Sequence, residues 1–137
     1  MSGRVAKPLA PAEGPFAPYW HAMSAGRFEL QRCRGCRHWI HFPDVRCPRC
    51  RSTDLAFEPA NGDGVVDTYT VVHRVFVPGF ADEAPYAVGW IRLDQQPGLR
   101  VFADFVGVPR DRIRIGLRVT ACFVDREGPR LSFRERP

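Results

Sequence analysis

Lysine is almost missing from this sequence: of its 20 basic residues, all but Lys7 are arginine. The net charge of +5 therefore rests on planar guanidinium forks, which suit phosphate, carboxylate and aromatic faces better than a point-like ammonium does. That charge is moderate, and it fits a phosphorylated ligand, an acidic protein or nucleic acid without choosing among them. Long apolar runs are missing too. Nothing approaches the eighteen or so consecutive apolar residues of a membrane span. Residues 1–14 (MSGRVAKPLAPAEG) lack the apolar stretch of a secretory leader and read as a loose tail. The expectation is a cytoplasmic protein with reduced thiols and no membrane partner. Catalytic signatures are scarce as well. There is no nucleophile elbow with a Ser-His-Asp order, no phosphate-cradling glycine loop before a helix, and no internal repeat.

What the sequence does have is concentrated in residues 33–50, CRGCRHWIHFPDVRCPRC, which hold four of its five cysteines. They form two Cys-x-x-Cys pairs separated by ten residues. A reducing compartment argues against disulfides. A thioredoxin-type redox motif needs one pair at a strand-to-helix turn in a βαβ unit, and no such unit follows. Two knuckles facing one ion would give Zn²⁺ a closed tetrahedron of thiolates from Cys33, Cys36, Cys47 and Cys50. Such a set leaves no position for water or substrate, so the expected role is structural. Arg37 and Arg51 follow the knuckles where glycine would ease a left-handed backbone, at a cost of about a kcal/mol each. Zinc binding contributes roughly 10–16 kcal/mol in comparable peptides and outweighs that cost. With four cysteines available, His38 and His41 are read as ribbon surface or partner contacts. His21 falls on a helix, and Cys122, in the apolar run VTACFV, is read as a buried small hydrophobe.

Around this cluster the patterning is mainly β. Phe16 to Ala25 has helical spacing and is stopped by Gly26. Arg27 to Arg32 alternates into the first knuckle, Trp39 to Phe42 forms a second arm turned by Pro43 and Asp44, and Ser52 to Pro59 is an exit. Five strands follow: Val65 to Val77, Tyr86 to Asp94, Leu99 to Val106, Leu117 to Asp125 and Arg130 to Arg134. A loop, Pro78 to Pro85, separates the first two. A helical turn, Pro109 to Ile113, falls between the third and fourth, the order of a five-stranded OB-fold. The alternation in YAVGWIRLD is read as turning Tyr86 and Trp90 toward the barrel core. The expected organisation is a tail over 1–14, a helix and zinc ribbon over 15–59, and an OB-fold over 60–137. The ribbon is too small to hold a core unaided, which is why a metal is expected there.

Several phrases together resemble a known family. These are the helix with Trp20, Leu30-Gln31-Arg32-Cys33 before the first knuckle, Thr70-Val71-Val72-His73-Arg74, Pro85-Tyr86 after an acidic loop, and Ile115-Gly116-Leu117-Arg118-Val119. Over roughly residues 15–134 the chain resembles the zinc-ribbon plus OB-fold acyl-CoA-associated proteins, long catalogued as a domain of unknown function. It departs at Arg37 and Arg51, where that family usually has glycine, and at Gln95-Gln96-Pro97, which lengthens a turn. The resemblance implies a non-catalytic subunit that binds acyl-CoA and a thiolase-fold enzyme: a thiolase, a hydroxymethylglutaryl-CoA synthase-like enzyme or a lipid-transfer-type aldolase. It would help form the tunnel for the CoA thioester, in a homo- or hetero-oligomer. The candidate CoA-side residues are His73, Arg74, Phe80 and Tyr86, which flank the loop between the first two barrel strands. The rival readings are a single-stranded nucleic-acid module, using Phe76, Tyr86, Trp90 and Phe102 as stacking platforms, and a stand-alone acyl-CoA thioesterase, for which no nucleophile is evident.

Overall fold

The computed structural model describes residues 14, 16–73, 85–125 and 128–137. Among them it is mainly β, with one N-terminal helix, a small three-stranded sheet carrying the cysteines, and a closed five-stranded barrel. Helix α1 (Ala17–Ser24) has a proline in its first turn, where the missing N–H costs nothing, and ends just before Gly26, whose φ of 73° stops it.

The small sheet has the order β2-β1-β3, built from β1 (Glu29–Cys33), β2 (Trp39–Ile40) and β3 (Leu55–Pro59). The sequence pattern of Ser52 to Pro59 suggests only an exit from the ribbon. Its second half instead pairs antiparallel with β1 over five residues, from Glu29↔Pro59 to Cys33↔Leu55. This pairing closes across both knuckles, so no local signal announces it.

The barrel contains β4 (Asp63–Val72), β5 (Tyr86–Leu93), β6 (Arg100–Phe105), β7 (Arg118–Asp125) and β8 (Pro129–Glu135). The order β4-β5-β6-β8-β7 closes through β7 on β4, with β6 and β8 parallel and every other pair antiparallel. A 3₁₀ turn at Arg110–Arg112 lies between β6 and β7. These strands and this turn are the five-stranded OB-fold expected from the sequence. The far end of the first predicted strand, Arg74 to Val77, and nearly all of the following loop lie outside the described residues.

One expectation about the barrel is corrected. In β5, Ala87, Gly89, Ile91 and Leu93 are buried, whereas Tyr86, Val88 and Trp90 are only partly so. The aromatic residues therefore stand on the outer face. A strand's period of two is right in either phase, and space inside the barrel selects the phase. A Cβ on Gly89 would lie 2.5 Å from the Thr68 carbonyl oxygen and 3.3 Å from the Phe105 ring, so nothing large fits there. A bulge between Val66 and Thr68 leaves Asp67 beside Arg92 and Arg100, each of which donates to it at 3.2 Å.

The two parts share one core. Tyr19 and Met23 from α1, Leu30 from β1 and Trp39 from β2 cluster with Val66, Ile91, Val101, Val119 and Phe133 of the barrel. The ribbon keeps a smaller cluster of its own around Cys33, Ile40 and Cys47.

Candidate metal centre and barrel face

The two knuckles repeat one local structure. In each, the residue after the second cysteine returns its amide to the carbonyl of the first cysteine. Arg37 donates to Cys33 at 2.9 Å and Arg51 to Cys47 at 2.8 Å. That tight return needs a left-handed backbone, and Arg37 and Arg51 adopt it, with φ of 68° and 67°. Arg37 uses the position: its guanidinium forms a fork with both carboxylate oxygens of Glu58 on β3, at 3.0 and 3.1 Å. Arg51 makes no ion pair among the described residues.

The four sulfurs converge within 4.8 Å of one another. Cys33 and Cys50 are 3.5 Å apart and Cys36 and Cys47 3.6 Å. A zinc tetrahedron with arms of about 2.3 Å has edges of roughly 3.8 Å, so the residues present fit the ion. Backbone amides also prepare the thiolates, with the Cys36 N–H directed at the Cys33 sulfur at 3.4 Å and the Arg49 N–H at the Cys47 sulfur at 3.4 Å. The Cys36 amide is the main cause holding the Cys33 thiol down to about 6, against the opposing effect of burial. For Cys50, the Ser52 amide pulls the pKa down, but the neighbouring sulfurs and burial push it further up, to about 11. Crowding four sulfurs without a cation makes the last proton hard to remove, and a divalent ion relieves that repulsion.

The histidines fall differently from one another. His21 is exposed on α1 and His38 is partly buried. His41, read from sequence as ribbon surface or partner contact, is tucked between Tyr19 and Phe42, with ring centroids 5.1 and 4.6 Å away. Its Nδ1 is buried without a hydrogen-bond partner among the described residues, and burial lowers its pKa to about 4. Aromatic rings on both sides decide this; Phe42 is the next residue, but Tyr19 arrives from α1 and is not displayed by the local sequence. Cys122 on β7 is partly buried rather than buried, and burial raises its pKa.

Of the four candidate CoA-side residues, Arg74 and Phe80 lie outside the described residues. The other two come to one end of the β4–β5 hairpin. His73 is exposed immediately after Val72, and Val72 pairs with Tyr86. The outer barrel face supplies residues with a different arrangement from the one expected. Trp90 meets Phe102 edge-on at 5.2 Å, and the Arg100 guanidinium lies 5.1 Å over the Trp90 ring. No described helix is long and apolar enough to cross a membrane.

A helix, a rubredoxin-like ribbon with four cysteines positioned for a metal ion, and an OB-fold barrel define a zinc-ribbon/OB-fold protein. Residues 20–56 match the family described as "ChsH2, rubredoxin-like zinc ribbon domain" and residues 57–124 the family "ChsH2, C-terminal OB-fold domain". The chain belongs to this ChsH2 zinc-ribbon and OB-fold family. A solved structure titled "Ltp2-ChsH2(DUF35) aldolase" contains a chain 33% identical in sequence, with a TM-score of 0.79 over 92% of this chain and 98% of that one. A "Probable enoyl-CoA hydratase alpha subunit" of Thermomonospora curvata is 34% identical over 107 residues. That match covers 78% of this chain but spans only 32% of the relative's length.

Proposed function

We propose that this chain is a non-catalytic accessory subunit that binds a thiolase-fold enzyme and an acyl-CoA thioester, with the partner supplying the reacting groups. The observation that carries this reading is the match, over 92% of this chain and 98% of the other, to a chain of the structure titled "Ltp2-ChsH2(DUF35) aldolase". The metal site supports it. Zinc held by four thiolates would tie the ribbon together, and with every position taken it offers none to a substrate. Acyl transfer needs an activated nucleophile and donors for an oxyanion. Cys122, the cysteine outside the cluster, has its thiol pKa raised by burial, the opposite of activation.

His73 and Tyr86 with Arg74 and Phe80 are the residues assigned to the CoA side. They would work in a complex made in the cytoplasm, where the acyl tunnel is completed between the two chains. The test has two parts. The native chain is purified and the thiolase-fold enzyme that accompanies it is identified. Binding of a CoA thioester and of its pantetheine analogue is then measured for wild type and Arg74→Ala. A larger loss for the CoA thioester supports phosphate recognition by Arg74, and equal losses refute it.

Single-strand binding has the exposed Trp90–Phe102 pair beside Arg100 in its favour. Against it, Arg92 and Arg100 share one carboxylate, Asp67, which leaves these three residues a single surplus positive charge, too little for a phosphodiester chain.

A further inference from the structure

Among the described residues, one feature unused by the metal site is a run of aromatic rings crossing from ribbon to barrel. Phe16, at the start of α1, lies 6.2 Å from Phe42. Phe42 lies 6.3 Å from Trp90, and Trp90 lies 5.2 Å from Phe102. Phe42 is 56% exposed and Phe102 49%, so neither ring fills a core. Along β5 the stripe continues through Val88 to Tyr86, all on the outer phase of the strand. It thus reaches the hairpin end assigned above to the CoA side. Three elements distant in sequence contribute to it, and the shared core beneath holds them in one arrangement.

Charge selects the occupant. At the edge of the stripe Arg92 and Arg100 each give one N–H to Asp67, and about half of each guanidinium side chain remains exposed. Two positive charges against one negative leave too little to hold a phosphodiester chain, which needs several cations along its length. They leave enough to fix one carboxylate beside an apolar patch. Aromatic rings with arginine at the rim are the composition of protein–protein interfaces. One matched chain belongs to a structure titled with a second protein's name beside ChsH2, and in another relative the 107 matched residues are 32% of the whole length. We infer that the Phe16–Phe42–Trp90–Phe102 stripe is the docking face for the partner enzyme. That enzyme would meet it with an apolar surface bordered by a carboxylate directed at Arg92 and Arg100. The inference rests on the accessory-subunit reading and adds the surface and the chemistry of its counterpart.

The test measures affinity of the intact chain for the thiolase-fold enzyme that co-purifies with it. Variants are Phe42→Asp, Phe102→Asp and Arg100→Glu, with Ile115→Asp as a control at another exposed apolar residue, 69% exposed. Zinc content and circular dichroism report folding, and Arg100→Glu keeps the test open if an aromatic variant misfolds. The expected result is a loss of roughly thirty-fold or more for each stripe variant and none for the control, as for central interface residues. Wild-type binding by folded stripe variants overturns the docking face and leaves the accessory-subunit reading intact. A wild-type chain that binds no thiolase-fold enzyme overturns both. Tight, salt-sensitive binding of a single-stranded oligonucleotide abolished by the same substitutions, or self-association through this face, also overturns it.

Discussion

The side-chain amide of Gln96 clamps the backbone of Trp39 from both sides. The Trp39 amide donates to Gln96 Oε1 at 2.8 Å, and Gln96 Nε2 donates back to the Trp39 carbonyl at 2.9 Å. A residue of the β5–β6 turn thereby pairs with β2, the edge strand of the ribbon sheet, as another strand would. Its neighbour Gln95 accepts the Asn61 amide at 2.7 Å, where the chain passes from ribbon to barrel. The lengthened Gln-Gln-Pro turn is the latch between the two parts.

Replacing Gln96 with alanine should leave two partly buried backbone groups of Trp39 unpaired and cost about 1–3 kcal/mol. Urea unfolding followed by tryptophan fluorescence measures it. A stability within ~0.5 kcal/mol of wild type, in the range of ordinary surface substitutions, would show that the latch is decorative.

Arg37 and Arg51 share one backbone strain but not one compensation, and this separates their glycine variants. Glycine at 51 relieves a left-handed non-glycine residue but raises the entropy of the unfolded chain, for a net gain of about 0.5–1 kcal/mol. Glycine at 37 also breaks the fork to Glu58, so its gain should vanish. Equal changes in the two denaturation midpoints would contradict this account.

Metal analysis should find about one zinc per chain. Cys47→Ser should weaken zinc binding and loosen the ribbon while barrel amides stay protected from hydrogen exchange. Chelation should also change Trp39 fluorescence, because that ring lies in the core shared with the barrel. A well-folded, fully reduced protein that retains native ribbon protection without metal would refute the structural role.

His41 makes stability depend on pH with a definite sign. Its folded pKa of about 4 lies below its ordinary 6.5, so the unfolded chain binds the extra proton first. The stabilisation is complete above about pH 6.5 and is lost as pH falls toward 4, with an upper bound of ~3 kcal/mol. The facing Tyr19 hydroxyl, raised by burial to about 12, stays neutral throughout and does not alter the sign. His41→Phe should be less sensitive than wild type to a change from pH 7 to pH 4.5, the thiolates and Asp94 contributing equally to both. Parallel pH profiles would show that His41 is not the group responsible.

Cys33, Cys36, Cys47 and Cys50 were legible in the sequence because the chemistry needs sulfur at a fixed local spacing. The same holds for α1 and for the barrel hairpins, whose turns are local. The outward phase of β5 was not legible, since Trp90 satisfies a period of two on either face and only the crowding at Gly89 decides. Nor was β3, whose partner strand lies beyond both knuckles. The aromatic stripe was legible only in its Trp90–Phe102 half, a cross-strand pair of the β5–β6 hairpin; Phe16 and Phe42 join it only after the ribbon closes onto the barrel.

The central claim is that the chemistry belongs to a partner chain. The measurement that tests it most directly is turnover of a panel of short and steroid-sized CoA thioesters by this chain, by its co-purifying thiolase-fold enzyme, and by the two mixed. The account predicts no turnover by this chain alone and activity in the mixture that exceeds that of the partner. Robust turnover by this chain alone, abolished by changing His73 or Cys122, would contradict it.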